Sequence, residues 1–185
     1  MPSPSEVRPA QCMGCGAASR PHGGRLVVHG DGTRERQVRG PLTAGGSPEL
    51  TSVLARRYEC QSCGACMVVV PRELLPRRLY TASAIGLALA LWALLGMTEA
   101  AVRTRVSPLA FVGAAAQDTW VTLRRWAGAT AEGCLFATVS SRAPPSARLS
   151  RRRQAERAAA GLVARAPAGM GTEAAAFAGA ALHPG

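Results

Sequence analysis

Apolar residues are distributed along this chain in two regimes. From residue 25 to 70 they form short groups, among them Leu26-Val27-Val28 and Met67-Val68-Val69-Val70, separated by Gly23-Gly24, Gly30-Asp31-Gly32 and Gly45-Gly46. Short apolar groups bounded by glycine turns predict strands. They are expected at Arg25–His29, Arg34–Val38 and Val53–Glu59, with a last strand in the run after Cys63. Beyond residue 78 the apolar stretches lengthen and turn alanine- and leucine-rich, which predicts helices. The first helix lies within Leu79 to Thr98, capped at its start by Thr81 or Ser83 and ended at Gly96. Thr98 caps a second helix, Glu99 to Val106, which Pro108 stops. Glu99 sits in its first turn, where the helix dipole favours a carboxylate. A third, amphipathic helix is expected over Ala115–Ala127. Trp120, Leu123 and Trp126-Ala127 form one face of it, with Thr122, Arg124 and Arg125 largely off that face. Ser140–Ser150, with Pro144-Pro145, reads as a linker, and helices are expected again at Leu149–Ala166 and Thr172–Leu182.

Leu79 to Thr98 is 20 residues without a charge, the minimum length for crossing a bilayer. Much of it is alanine, glycine, serine and threonine. Arginines flank both sides (Arg77 and Arg78, Arg103 and Arg105), giving no inside–outside asymmetry. A core helix covered by its neighbours is therefore expected. A span at 79–97, anchoring a ribbon that binds a protein partner, is the alternative. Met1 to Glu6 is rich in proline and serine with no apolar run after it, so no signal peptide is expected and a cytoplasmic, reducing compartment is.

Charge narrows the choice of partner. The 185 residues carry 22 basic and 11 acidic side chains, a net charge of +11. Every basic residue is arginine, as in proteins of GC-rich genomes. The excess lies at the two ends: residues 1–78 hold 11 arginines and 6 acids, residues 141–185 hold 7 and 2, and the middle is nearly neutral. Such a balance points to an anionic partner, nucleic acid or a lipid surface.

Four of the six cysteines repeat one pattern, Cys12-Met13-Gly14-Cys15-Gly16 and Cys60-Gln61-Ser62-Cys63-Gly64. Two residues between cysteines let both sulfurs face one point, and the trailing glycine permits a positive φ. Two such knuckles supply four thiolates, the set for a tetrahedral structural Zn²⁺. Cys63-x-x-Cys66 has the same spacing, so Cys66 competes as a ligand. Only Cys60 and Cys63 reproduce the trailing glycine, and Cys66 is then expected to be a buried small residue. His22 and His29 are the alternative ligands. A thioredoxin-like redox pair needs one motif in a βαβ context, and a disulfide framework needs an oxidising compartment.

The order of these features, with Val70-Pro71-Arg72-Glu73-Leu74-Leu75-Pro76-Arg77-Arg78-Leu79-Tyr80 leading into the first helix, resembles the N-terminal zinc-ribbon and helix-turn-helix region of bacterial transposase-related proteins. Thr119-Trp120-Val121-Thr122-Leu123-Arg124-Arg125-Trp126 is similar to a recurring Trp-x-Thr-Leu-x-Arg-Trp stretch in them. The resemblance covers roughly residues 10–130. It implies DNA binding, with Cys12, Cys15, Cys60 and Cys63 as zinc ligands. The chain departs from a full transposase after residue 130, where only Glu132, Glu156 and Glu173 supply carboxylates and no ribonuclease-H-like core can form.

The expected fold class is α+β: a small zinc β-ribbon, a mainly α helix-turn-helix-like bundle and a helical C-terminal tail. Its divisions are a disordered N-terminus (1–9), the ribbon (10–78), the helical unit (79–130), a linker (131–150) and an Ala/Arg-rich tail (151–185). No triad, P-loop, paired-carboxylate motif or dinucleotide fingerprint occurs, so no enzyme is expected. Cys134, a lone thiol without an evident base, is expected to be buried or inert. The expected function is zinc-dependent binding of duplex DNA, with phosphates contacted by Arg56, Arg57, Arg77, Arg78, Arg124 and Arg125. Arg151-Arg152-Arg153 and Arg157 form either a further phosphate-contacting arm or a solvated face. Association with a second copy of the chain is a further partner class, and a non-functional mobile-element remnant a further reading.

Overall fold

The glycine turns and short apolar groups of the first part build strands β1 (Val28–Pro41), β2 (Pro48–Cys60) and β3 (Cys66–Val69), in the sheet order β1-β2-β3. The computed structural model describes residues 6–110, 113, 119–140 and 149–182. The expected piece Arg34–Val38 lies within β1, whereas of the piece expected over Arg25–His29 only Val28 and His29 are strand. Gly32, at φ 81°, lies within this strand instead of reversing the chain. β2 and β3 are antiparallel, with Tyr58 opposite Met67 and Glu59 opposite Cys66.

Two compact units result: a ribbon unit (Met1–Gln37 with Ser52–Pro71) and a helical unit (Val38–Thr51 with Arg72–Gly185). The ribbon core is small. Cys12, Val28, Tyr58, Cys60 and Met67 are buried, with Val7, Val27, Ala65 and Val69 packed against them.

The helical unit contains α1 (Ala82–Ala93), α2 (Glu99–Val106), α3 (Val121–Ala131), α4 (Ala137–Ser140), α5 (Arg151–Val163) and α6 (Thr172–Leu182). Capping follows the sequence signals. Thr81 Oγ1 accepts from the Ala84 amide at 3.0 Å, Thr98 Oγ1 from Ala101 at 3.2 Å and Ser150 Oγ from Arg153 at 3.4 Å. Gly96, at φ 73°, turns the chain between α1 and α2.

The third helix begins later than expected, at Val121 rather than Ala115; residues 115–118 lie outside the described residues. Trp120 is its non-helical N-cap, and the Trp120 amide is bound by Glu99 of α2 instead of entering a helical turn. The helix expected over Leu149–Ala166 is trimmed to Arg151–Val163 by its Ser150 cap. Of the linker expected over 140–150, residues 141–148 lie outside the described residues, as do 1–5 of the expected N-terminal tail and the histidine at 183.

α1 is only 12 residues long and buried from Ala82 to Trp92. Its length of about 18 Å falls short of a hydrocarbon core of about 30 Å. No described helix is long and apolar enough to cross a membrane. The alternative of a span at 79–97 is thereby corrected: Gly96 ends the helix early, and the apolar surface is taken up by neighbouring helices, α2, α3, α5 and α6.

With so few aromatics, these helices pack by close approach of small residues. A Cβ on Gly86 of α1 would lie 2.5 Å from Ala180 Cβ and 2.9 Å from the Ala176 carbonyl, both on α6. Gly179 of α6 meets the Leu162 backbone, and Gly161 meets Val139. The larger rings cluster: Tyr80 and Trp126 at 5.0 Å, Trp120 and Trp126 at 5.1 Å, all edge-to-face, with the Tyr80 hydroxyl donating to Ser107 Oγ at 2.9 Å.

Arginines tie the periphery together. Arg72 donates to the Leu182 carbonyl at 2.7 Å, and Arg103 to Thr119 at 3.3 Å. Arg105 pairs with Glu173 at 2.9 Å, and Arg165 donates to the Gly161 and Thr138 carbonyls at 3.0 Å each. The Arg151 guanidinium lies against Gly128 in the last turn of α3, and that of Arg152 beside Gly96 after α1. Cations that oppose the dipole at the start of α5 thus sit at the carbonyl ends of two other helices, where they are favourable.

Replacing Gly86 with leucine should cost the helical unit about 1–3 kcal/mol by overpacking. Gly45→Ala, at a position where a Cβ would meet nothing within 4 Å, should change stability by less than about 0.5 kcal/mol. Urea unfolding followed by circular dichroism measures both, and equal effects would contradict this packing.

Candidate metal centre

Each knuckle is shaped by its own backbone. The Gly16 amide donates to the Cys12 carbonyl at 2.9 Å and the Gly64 amide to the Cys60 carbonyl at 2.8 Å. Just outside, the Cys12 amide reaches the Ala17 carbonyl at 2.9 Å and the Cys60 amide reaches Ala65 at 3.0 Å. Gly16 and Gly64 stand at φ 73° and 71°, a left-handed conformation that side-chain-bearing residues disfavour. The two loops are therefore copies of one turn. The second knuckle is carried by the end of β2 and the start of β3.

The copies face each other. Cys12 Sγ is 3.6 Å from Cys63 Sγ, and Cys15 Sγ is 3.8 Å from Cys60 Sγ. All four sulfurs lie within 4.8 Å of one another. A tetrahedron with metal–sulfur bonds of about 2.3 Å has sulfur–sulfur edges of about 3.8 Å. A disulfide would need about 2.05 Å, and all four cysteines are free. The set can hold one metal ion. In each knuckle the first cysteine is buried and the second exposed, so the site lies at the edge of the ribbon core and includes two of its buried residues.

The sulfurs are electrostatically unequal. The backbone amides of Cys15 and Gly14 hold the Cys12 thiol down at about 6, the latter 3.3 Å from its Sγ. At Cys63 the Ala65 amide also favours the thiolate. The neighbouring thiols of Cys15 and Cys12, together with burial and Cys60, outweigh it and push Cys63 up to about 12. The backbone amides thus favour the thiolate at Cys12, while the crowding of sulfurs favours the thiol at Cys63. A cation held by the set would require thiolates, so its binding would displace thiol protons.

The competing ligands fall away from the set. Cys66, expected to be buried, is exposed: it stands opposite the exposed Glu59, on the outer side of the sheet, while the next residue, Met67, opposes Tyr58 and turns inward. Its Sγ is 3.7 Å from Arg57 Nη2. His22 and His29 are exposed and outside the cluster, His29 Nε2 being 2.8 Å from the Leu26 carbonyl oxygen. Cys134, expected to be buried or inert, is exposed in the turn after α3.

The six arginines expected to meet phosphate are divided between the two units. Arg56 and Arg57 belong to the ribbon unit, and Arg57 is paired with Asp31 at 2.8 Å. The other four belong to the helical unit. Arg77 takes a left-handed φ of 58° in the turn closed by the Arg78 amide and the Leu75 carbonyl. Arg124 and Arg125 are neighbours on the exposed side of α3, with Val121 beside them one turn earlier. Arg124 is held by Glu99, whose Oε1 accepts from its Nε at 2.8 Å while Oε2 accepts from the Trp120 amide at 2.7 Å. Sequence reasoning missed this clamp, because it joins residues 21 and 25 positions apart and Glu99 already had a local role at the start of α2. No family model matches the chain, and no curated protein or solved structure was found to be similar to it.

Cys12→Ser and Cys60→Ser should each abolish stoichiometric metal binding, and Cys66→Ser should leave it intact. Elemental analysis of purified protein decides, and loss of metal in the Cys66 variant would move the site. Because metal displaces thiol protons, affinity should fall as pH is lowered from 7 to 5, with proton release on binding at neutral pH. Competition with a chromophoric chelator measures the affinity, and a pH-independent constant would contradict thiolate ligation.

Proposed function

We propose that this chain is a DNA-binding protein without an enzymatic role, in which a structural Zn²⁺ on Cys12, Cys15, Cys60 and Cys63 organises the ribbon. Four thiolates at tetrahedral spacing fill the coordination sphere of the ion. A catalytic zinc keeps one position open for water or substrate, and this set leaves none.

DNA enters through the helical unit. α1, the turn at Gly96 and α2 form the first two helices of a helix-turn-helix, and α3 is the recognition helix. The observation that carries this reading is the outer side of α3. Its first two turns expose Val121, Arg124 and Arg125, whereas Leu123, Trp126 and Ala127 are buried. In recognition helices it is the N-terminal residues that reach base edges. The net charge of +11 supports a polyanionic partner. Many other arginines of the helical unit are engaged with carbonyls or carboxylates of the protein itself; of the pair on α3, Arg124 is held by Glu99 through Nε alone.

Binding of a duplex should weaken steeply with salt, with a log–log slope of about −0.9 for each phosphate neutralised. Arg125→Ala should make that slope shallower by about 1, and Arg153→Ala, which removes a side chain paired with Glu156, should leave it unchanged. Fluorescence anisotropy with a labelled duplex across a salt series measures both. Salt-independent binding, or none at low salt, would contradict the proposal.

A further inference from the structure

Glu99 is a buried carboxylate, 8 % exposed, whose two oxygens are both used: one binds the backbone at the start of α3, the other Arg124. The grip on Arg124 is through Nε. Nη1 and Nη2 have no hydrogen-bond partner among the described residues, and the side chain is 52 % exposed. An arginine held in this way has lost much of its rotamer freedom, and its two terminal nitrogens are left as a planar pair of donors.

We infer that Glu99 positions Arg124 as a guanine-reading side chain, its Nη1 and Nη2 donating to O6 and N7 of one guanine in the major groove of duplex DNA. The inference rests on the DNA-binding reading above. A fork of two parallel N–H donors matches the paired acceptors that guanine alone presents in that groove. A phosphate could also accept from it, but a phosphate contact carries no base preference. The clamp favours the base: the same carboxylate fixes the N-cap residue of α3 and the arginine one turn on, so helix and fork keep one relative geometry. Glu99 is a positioning residue, and Arg124 is the group that touches the ligand. Arg125, which has no acidic partner among the described residues, is left to the phosphates.

The test uses the full chain loaded with zinc, reduced, and a duplex pool with a randomised central segment. The parent protein should enrich sites with an invariant guanine. On the selected duplex, Arg124→Lys, which keeps the charge and loses the fork, should reduce the preference for that guanine roughly tenfold to a hundredfold. Replacing the guanine by 7-deazaguanine, which removes N7, should weaken the parent and have no further effect on Arg124→Lys, since the two changes delete one interaction. Glu99→Gln, which keeps an acceptor of the same shape, should lose part of the preference. Buried-tryptophan emission reports whether that variant folds, and if it does not, Arg124→Lys decides alone. An Arg124→Lys protein that keeps the guanine preference, or that still responds to 7-deazaguanine, overturns the inference. So does an enriched site without guanine, although unselected duplex binding would then leave the DNA-binding reading standing. A parent that retains no duplex at low salt overturns both.

Discussion

The ribbon unit depends on four sulfurs converging from knuckles 44 residues apart in sequence. Its buried core consists of Val28, Tyr58 and Met67 with two of the cysteines themselves. So few apolar side chains cannot offset the conformational entropy of ordering this much chain, at about 1–2 kcal/mol per residue for the backbone alone. A metal held by the four sulfurs would supply stabilisation on that scale, because a site that does not exist in the unfolded chain turns binding energy into folding energy. The matching turns of the two knuckles, each closed on its own glycine, hold the sulfurs at tetrahedral spacing in the folded ribbon.

The helical unit is stabilised differently. Its core is continuous and dominated by alanine and leucine, with helices brought close at Gly86, Gly161 and Gly179 and one aromatic cluster of Tyr80, Trp120 and Trp126. Arginine, the chain's single basic residue type, has two structural tasks here: it caps carbonyl ends and it joins elements distant in sequence, as Arg72 does to Leu182. Function in this reading rests with the arginines those tasks leave outward, above all Arg124, which the protein orients by one end only.

Much of this was legible in the residues. The paired Cys-x-x-Cys-Gly pattern specifies both ligands and turns because each residue type has a local job. Thr81, Thr98 and Gly96 mark helix boundaries for the same reason. The apolar run at 79–98 was ambiguous between bilayer and core because composition reports hydrophobicity and not what covers it; the cover comes from α5 and α6, some seventy residues and more downstream. The exposure of Cys66 follows from strand register, set by the pairing of Tyr58 with Met67. The start of α3 depends on Glu99, a contact between residues 21 apart that no local signal encodes.

The dependence of the ribbon on its metal is tested most directly by amide hydrogen exchange on the reduced full chain, with zinc bound and after its removal by chelation. Loss of protection on chelation across the ribbon unit's share of the strands, Val28–Gln37, Ser52–Cys60 and β3, with α1, α3 and α5 still protected, is the expected result. Strands that stay protected in reduced, metal-free protein would contradict the account.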